Sequence, residues 1–261
     1  MNYLSELNAH PRDKDISFEE GPHIYTVLGE RGTYTSVTTI VHKNFPHFDS
    51  VGLINKILKS KKMADKNYKY YGMSYSQIQK MWDDNRDVAA TAGTKLHYDI
   101  ECYYNKYPNE NTSIEYQYFT NFCQEYPYLE AYRTEWMVYY EELKISGSID
   151  MVFRDTRDGT YWIYDWKRSK EIEYENNFCE NGITEATKYL PNLNFWHYSL
   201  QLGIYKKILE EKYDLKINGM YLIVLHPNNL NYERIEVANL EKEIQEIFDS
   251  RRTVISQQKL I

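Results

Sequence analysis

An aspartate and a lysine two residues apart, Asp165 and Lys167, have the chemistry that phosphodiester hydrolysis requires. Both lie in the segment Tyr161–Lys167, which reads as a β-strand. Side chains alternate between the faces of a strand, so Asp165 and Lys167 point the same way. The carboxylate can hold a hard divalent cation, and the lysine can orient or deprotonate water or neutralise charge on a phosphate. An ion pair on an exposed edge strand would give the same spacing.

Asp150 is a second acid, on the preceding predicted strand between the apolar residues Ile149 and Met151. A carboxylate inside an apolar strand is costly unless it is paired or bound to a metal. Gly147 allows a close backbone approach or a bulge at this point. A hairpin joining the two strands would bring Asp150 near Asp165, and a divalent cation would relieve their repulsion. The alternative is a buried aspartate paired with an arginine or with backbone amides.

Two further pairs of polar residues are spaced four apart, on predicted helices. His97 and Glu101 share one helix face, and imidazole is a good ligand for Mn²⁺-like ions. A lone helical histidine is nevertheless more often structural. Gln201 lies on a largely apolar face and needs a hydrogen-bond partner, either an active-site carboxylate or the substrate. Tyr205, on the same face, favours packing over chemistry.

The elements that carry these residues predict a single α/β domain. Residues 134–141, 144–154 and 160–167 predict three successive strands in an antiparallel meander. A helix over 195–213 and strands over 219–226 and 232–237 follow, and a charged helix over 240–257 ends the chain. Ahead of the meander, we predict a β-hairpin within 16–41, its second strand over 33–41, and helices over 51–71, 75–91, 94–105 and 113–125.

Composition limits the classes of protein to consider. The chain has 261 residues, 42% of them hydrophobic, and a formal net charge of -7. That charge argues weakly against generic nucleic-acid binding, although a lysine-rich stretch over 56–69 could track phosphates. No segment approaches the about 18 to 20 apolar residues that span a membrane, and the first residues lack the apolar region of a signal peptide. We therefore expect a soluble, intracellular protein without membrane partners.

Four segments, in this order, resemble the RecB-type branch of the PD-(D/E)XK nuclease superfamily, a group with viral, phage and mitochondrial exonucleases. They are Gly93-Thr-x-x-His97 with Glu101, Gly147-Ser-Ile-Asp150, Asp165-Trp-Lys167 and Gln201-x-x-x-Tyr205. His23-x-Tyr25 and Ser36-Val-Thr-Thr39 match a further feature of these exonucleases. The resemblance covers about residues 92–210. It implies a restriction-endonuclease-like αβββαβ core, with a mixed central sheet flanked by helices and an N-terminal helical extension.

The resemblance also implies a role for each matching position. The implied ligands of one or two Mg²⁺ or Mn²⁺ ions are His97, Asp150, Asp165 and the backbone carbonyl of Trp166, with Asp150, Asp165 and Lys167 catalytic. The implied supporting or substrate-contacting residues are Gln201, Tyr205, Glu101 and Glu135, the last because the family often has an acid ahead of the Asp150 strand. Some relatives carry a four-cysteine iron–sulfur cluster, but three scattered cysteines, Cys102, Cys123 and Cys179, exclude one here.

The implied activity is a metal-dependent deoxyribonuclease that acts in DNA replication, recombination or repair. An exonuclease acting on single-stranded or frayed DNA is favoured, with residues 1–91 as a substrate-contacting hairpin and helical extension and 92–261 as the nuclease core, packed as one compact domain. Two alternatives stay open: an endonuclease of the same superfamily, and a DNA-binding or scaffolding module without catalysis. A phosphatase-like metalloenzyme is disfavoured because the sequence has neither a phosphate loop nor a denser Asp/His cluster.

Overall fold

The computed structural model describes residues 1–176 and 179–258 and has a mixed α/β architecture. Two compact units make up the chain: residues 1–46 with 96–261, and residues 47–95. The predicted division between residues 91 and 92 groups the N-terminal residues differently, because residues 1–46 pack in the same unit as the main sheet. Among the described helices, none is both long and apolar enough to cross a membrane.

The larger unit contains a six-stranded mixed sheet and a separate three-stranded sheet. Its elements in chain order are α1 (Tyr3–Leu7), β1 (Ile16–Glu19), β2 (Ile24–Val27), β3 (Glu30–Arg31), β4 (Thr35–Ser36) and α2 (Val37–Lys43), then, after the smaller unit, α5 (Ile114–Glu125), β5 (Leu129–Tyr140), β6 (Ile145–Asp155), β7 (Tyr161–Lys167), α6 (Asn194–Lys212), β8 (Ile217–Val224), β9 (Glu233–Glu236) and α7 (Glu241–Gln258). A long helix, α4 (Tyr75–Tyr104), begins in the smaller unit and ends in this one.

Strand β6 organises the main sheet. β5 pairs with it antiparallel along its whole length. On the other edge of β6, Ile145 and Ser146 pair with β4, and residues 151–154 pair with β7. Residues 147–150 therefore lie between these two partner strands, where the strand pairings of the described residues leave a gap. Because Asp150 lies in this gap, its side chain and the neighbouring backbone are free to serve a site.

Apolar side chains bury both faces of this sheet, as is usual for a sheet with helices on both sides. Residues of α2, α6 and α7 form the core on one face, together with Trp136, Ile149 and Ile163. The end of α4 and α5 form the core on the other face, with Met151, Phe153 and Trp166. β7 connects through α6 to β8, which pairs parallel with it. The predicted mixed sheet flanked by helices is confirmed.

The three N-terminal strands pack over β5. β1 and β2 form an antiparallel hairpin, and β3 pairs with β2. Tyr25 and Val27 of this hairpin join Tyr139 of β5 in a third, smaller core. The hairpin therefore covers β5 on the side away from Trp136 and brings Tyr25 toward the strand that carries Glu135.

The smaller unit, residues 47–95, contains α3 (Ser50–Lys59), a short 3-10 helix (Lys61–Ala64) and most of the described length of α4. The Asp49 side chain caps α3 by accepting a hydrogen bond from Gly52 N. Only Ile54 and Ile78 are fully buried among its apolar side chains. A unit with so little apolar burial presents most of its side chains to solvent.

Three predicted elements differ from the structure. Residues 37–43 form the helix α2 and not the end of a strand, because Ser36 caps it and Val37, Ile40 and Val41 bury one helical face. The β-branched run that suggests a strand is overridden by this packing. The predicted helices 75–91 and 94–105 are one helix, α4. The helix predicted over 51–71 ends at Lys59, where Ser60 starts a new turn.

Candidate metal centre and active site

His97 lies in the last turns of α4 and contacts the backbone at the end of β7. Its Nε2 is 2.8 Å from the Trp166 carbonyl oxygen. A carbonyl can only accept, so Nε2 carries a hydrogen and donates it. Nδ1 then faces two acids, Asp150 Oδ2 at 3.5 Å and Glu135 Oε1 at 3.9 Å. A hydrogen bond from the second ring nitrogen to a carbonyl is the usual way in which a metal-binding histidine is oriented.

Glu135 occupies the position opposite Asp150 on β5. Thr134 pairs with Met151 and Trp136 pairs with Ile149, which sets Glu135 against Asp150. Its backbone has a φ of +43°, a left-handed conformation that costs a residue with a side chain roughly 1–2 kcal/mol. Such strain persists when the surrounding structure requires it, and it is concentrated at functional sites.

This strain coincides with a change of face in the neighbouring strand. Ile149 packs in the core on the α6 side of the sheet, whereas Met151, two residues later, packs in the core on the α5 side. Side chains two apart on a regular strand share a face, so the alternation is reset at Asp150. The reset leaves Glu135 and Asp150 together beside His97.

One ligand atom from each of these three residues lies within 4.8 Å of the others. Like charges directly opposite on paired strands are destabilising, and a cation relieves this. The His97 and Glu135 side chains are 28% and 38% exposed, so an ion in solution can reach the group. Two carboxylates and one imidazole are a donor set suited to Mn²⁺ and acceptable to Mg²⁺.

Asp165 and Lys167 lie beside this group, on β7. Lys167 Nζ is 2.6 Å from Asp165 Oδ2, and both side chains are largely buried. Beyond this ion pair, Asp165 Oδ2 is buried without a hydrogen-bond partner among the described residues. On its other side, the Lys167 ammonium stands 4.5 Å from the centre of the Tyr198 ring, a cation–π contact from α6.

The site couples its charges strongly. Burial lowers the pKa of His97, but the charges on Asp150 and Glu135 outweigh it and raise that pKa to about 9. Burial and the neighbouring Asp150 raise the pKa of Asp165 to about 6, against the opposing charge of Lys167. Burial also raises the pKa of Asp150. The Asp150 and Asp165 carboxylates repel each other when both are ionised, and a bound cation would offset that repulsion.

Lys167 keeps its proton. Burial lowers its pKa, but the charges of Asp165 and Asp150 outweigh burial and hold the pKa above the ordinary lysine value. The group is therefore a fixed positive charge at neutral pH, with Asp165 on one side and an aromatic face on the other.

The structure brings together Asp150, Asp165, Lys167 and His97, as the sequence predicts. It also places Glu135 in the group of three possible metal ligands. Asp165 lies outside the three-residue ligand group of His97, Glu135 and Asp150. The Trp166 carbonyl accepts from His97, and the Trp166 N–H donates to Asp150 Oδ2 at 3.1 Å. This backbone segment therefore holds two of the proposed ligands in position.

The supporting residues lie further from the acids. Glu101 is half-buried one turn beyond His97, and burial and the charge of Glu135 raise its pKa. Burial raises the pKa of Tyr205 well above its usual value, and the neighbouring Gln201 side chain opposes this shift. Tyr205 lies against Gly147, where an added Cβ would be 2.7 Å from its hydroxyl oxygen. Gly147 is thus required for close approach of this ring.

Three residues without a predicted role in the site also lie at it or near it. Ser148 donates a hydrogen bond to Glu135 Oε2 at 3.1 Å. Tyr198 covers Lys167. Burial and the charge of Glu135 raise the pKa of Tyr25 to about 12. Strand alternation could have suggested Ser148, two residues before Asp150, but nothing in the sequence relates Tyr25 to β5.

Comparisons with known proteins leave the family open. No protein-family model matches the chain, and no curated protein matches it. Among solved structures, SSO0001 is 14% identical over 97% of this chain and 82% of its own, with a TM-score of 0.35. A protein described as a "Putative exonuclease" from Eubacterium rectale is 10% identical over 86% and 79%, also at 0.35. At these TM-scores the likeness carries no argument, so the function is argued from the site itself.

Proposed function

We propose that the chain is a metal-dependent nuclease that hydrolyses DNA phosphodiester bonds. The observation that carries the proposal is the pairing of Glu135 with Asp150 at a strained, face-switching step of β5 and β6, with His97 Nδ1 facing both acids. The Asp165–Lys167 pair on the adjacent strand completes the arrangement. The element order α4, α5, β5, β6, β7, α6, β8 is compatible with the αβββαβ core of the PD-(D/E)XK superfamily, to which we assign the chain in this proposal.

A divalent cation fits the donors that the chain offers. His97, Glu135 and Asp150 would hold one ion, Mn²⁺ or Mg²⁺, and the buried Asp165 carboxylate, which is also paired with Lys167, is suited to approach the same or a second ion. When bound, the ion supplies positive charge for the phosphate oxygens and activates water at neutral pH.

The protein side chains then have distinct tasks. Lys167, protonated and fixed between Asp165 and Tyr198, neutralises negative charge that develops on the phosphate and orients the attacking water. Asp165 holds Lys167 in that geometry. Because burial fixes both groups, they need not rearrange as charge develops. Water would add to phosphorus in line with the 3′ oxygen, and the bond from phosphorus to that oxygen would break. Protonation of the leaving oxygen balances the proton that water loses, so the products are a 5′ phosphate and a 3′ hydroxyl.

We further propose an exonuclease that acts on single-stranded or frayed DNA during replication, recombination or repair. Residues 1–91 would contact the strand; for the N-terminal hairpin, the support is that Tyr25 lies near enough to Glu135 for the glutamate charge to raise its pKa. A circular single-stranded substrate tests the exonuclease assignment, because an enzyme that requires an end leaves it uncut whereas an endonuclease linearises it.

The test of the activity is cleavage of end-labelled single- and double-stranded DNA with Mn²⁺, Mg²⁺ or EDTA. We expect shortening with the metals and none with EDTA. Lys167→Ala should abolish it, whereas Lys170→Ala, an exposed lysine three residues further on, should leave it unchanged. Full activity in Lys167→Ala would refute the proposed chemistry, and DNA binding without cleavage in every metal would favour the scaffolding module.

A further inference from the structure

Positive charge is concentrated in the smaller unit. Residues 47–95 contain nine Lys and Arg residues, five Asp and no Glu, a formal excess of four positive charges. The chain as a whole carries -7, so the other residues carry -11. A protein with this overall charge repels polyanions, and a segment of opposite sign marks where one could bind.

The lysines of this unit differ in their partners. Lys80 is paired with Asp84 at 2.8 Å, and Arg86 is paired with Asp83 and Asp87 at 3.0 Å. Six exposed lysines have no carboxylate partner within the described residues, and we call them the basic surface: Lys56, Lys59, Lys61, Lys62, Lys66 and Lys69. Within the same stretch only Asp65 is acidic. The positive charge is therefore uncompensated along α3 and the turns that follow it.

Aromatic rings accompany these lysines. The Phe48 side chain is 73% exposed and lies 6.0 Å, centre to centre, from the ring of Trp82. Trp82 donates a hydrogen bond to the Tyr70 hydroxyl at 3.1 Å, and Lys69 Nζ is 5.3 Å from the Tyr70 ring. Tyr71 is 46% exposed. Exposed rings interleaved with lysines offer a stacking face together with charge.

We propose that residues 47–95 form a binding surface for single-stranded nucleic acid, with the basic surface contacting phosphates and Phe48 stacking on a base. The identity of the bound polymer rests on the proposed function. Unpaired bases expose faces that an aromatic ring can stack on, whereas a duplex exposes mainly phosphates. The combination of exposed rings and unpaired lysines therefore favours a single strand.

The first arm of the test measures the salt dependence of binding in EDTA, so that no cleavage occurs. The probe is a fluorescein-labelled oligothymidylate of about 20 nucleotides, followed by anisotropy. Each phosphate contact on a single strand contributes about -0.7 to the slope of log K against log salt. We expect Lys61→Gln with Lys62→Gln to make the slope less steep by about 1.4, and Lys80→Gln, already paired with Asp84, to leave it unchanged.

The second arm measures stacking. Phe48→Ala should weaken binding of the single strand about 5- to 100-fold and leave binding of a duplex of equal length nearly unchanged. Val88→Ala, at a residue that is 70% exposed in the same unit, is the matched control and should change neither. Both side chains are largely exposed, so the fold should survive each change.

Three results would overturn the inference: an unchanged slope in the Lys61 and Lys62 double variant, equal loss of single-strand and duplex binding in Phe48→Ala, or displacement of the probe by polyglutamate as effective as by unlabelled DNA. The last would indicate an acidic protein as the partner. Because binding is measured without metal, its result does not depend on cleavage. Failure of this binding inference is therefore distinguishable from failure of the proposed nuclease function.

Discussion

Removing the charge of Glu135 should weaken metal binding but leave the stability of the metal-free protein nearly unchanged. In Glu135→Gln the side chain keeps its shape but loses its charge. Without metal, Glu135 is attracted to protonated His97, at 3.9 Å, and repelled by Asp150, whose ligand atom lies within 4.8 Å. At an effective dielectric constant of about 20, each effect is on the order of 3–4 kcal/mol before solvent screening, and the two oppose each other. The metal-free stability should therefore change by less than about 1 kcal/mol.

The metal-bound protein should behave differently. Loss of one of three ligands should weaken Mn²⁺ binding at least about 10- to 100-fold, since loss of an outer partner alone costs that much. At a Mn²⁺ concentration about 100 times the wild-type Kd, the ion stabilises the wild type by about 2.7 kcal/mol and a variant with about 100-fold weaker binding by about 0.4 kcal/mol. For a chain of this size the difference corresponds to about 5–9 °C in Tm.

Thermal unfolding followed by circular dichroism, with EDTA and with Mn²⁺, measures both quantities without DNA. Glu101→Gln is the matched control, because its half-buried carboxylate lies one turn from His97 yet outside the ligand group. We expect this control to keep the wild-type response to Mn²⁺. A Glu135→Gln protein that gained as much Tm from Mn²⁺ as the wild type would refute the assignment of Glu135 as a ligand.

Three further predictions concern residues around the site and the core. Tyr198→Phe should keep most activity because the ring over Lys167 remains, whereas Tyr198→Leu should lower kcat at least about 10-fold; equal losses would contradict the cation–π role. Gly147→Ala should destabilise by about 1–3 kcal/mol in urea unfolding, because its Cβ would meet the buried Tyr205 ring, and a neutral effect would show that the ring is free to move. Burial lowers the pKa of His197 to about 4, so the unfolded chain takes up a proton below about pH 6.5 and the folded protein does not. Stability should then fall by roughly 1–3 kcal/mol between pH 6.5 and 4 through this residue; a His197→Gln variant with the same pH profile as the wild type would contradict this.

The main sheet and its helices are predictable from sequence, because the residue pattern within each element and the turn residues at its ends indicate the same structure. The three strands of the meander alternate or run apolar between turn residues, and α5, α6 and α7 begin and end within one residue of the predicted helices. The face shared by Asp165 and Lys167 follows from strand geometry alone, and the structure has it.

Other features depend on contacts that sequence does not reveal. A β-branched run favours a strand at residues 37–41, and only the Ser36 cap and the burial of one face make it a helix. Nothing in the sequence marks the left-handed backbone at Glu135, because glutamate rarely adopts it. The family resemblance gives Glu135 only a supporting role, whereas in the structure its carboxylate lies beside Asp150 and His97. The contact between Tyr198 and Lys167 cannot be predicted from the sequence, because it depends on how α6 packs against β7.

The measurement that tests the central claim most directly is the incorporation of oxygen from solvent during cleavage. Single-stranded DNA is incubated with the wild type and Mn²⁺ in water enriched in ¹⁸O, and the products are analysed by mass spectrometry. Hydrolysis at this site predicts one ¹⁸O in the 5′ phosphate of each broken bond, and no product with EDTA or with Lys167→Ala. Absence of cleavage in every metal, or product phosphate without ¹⁸O, would contradict the account.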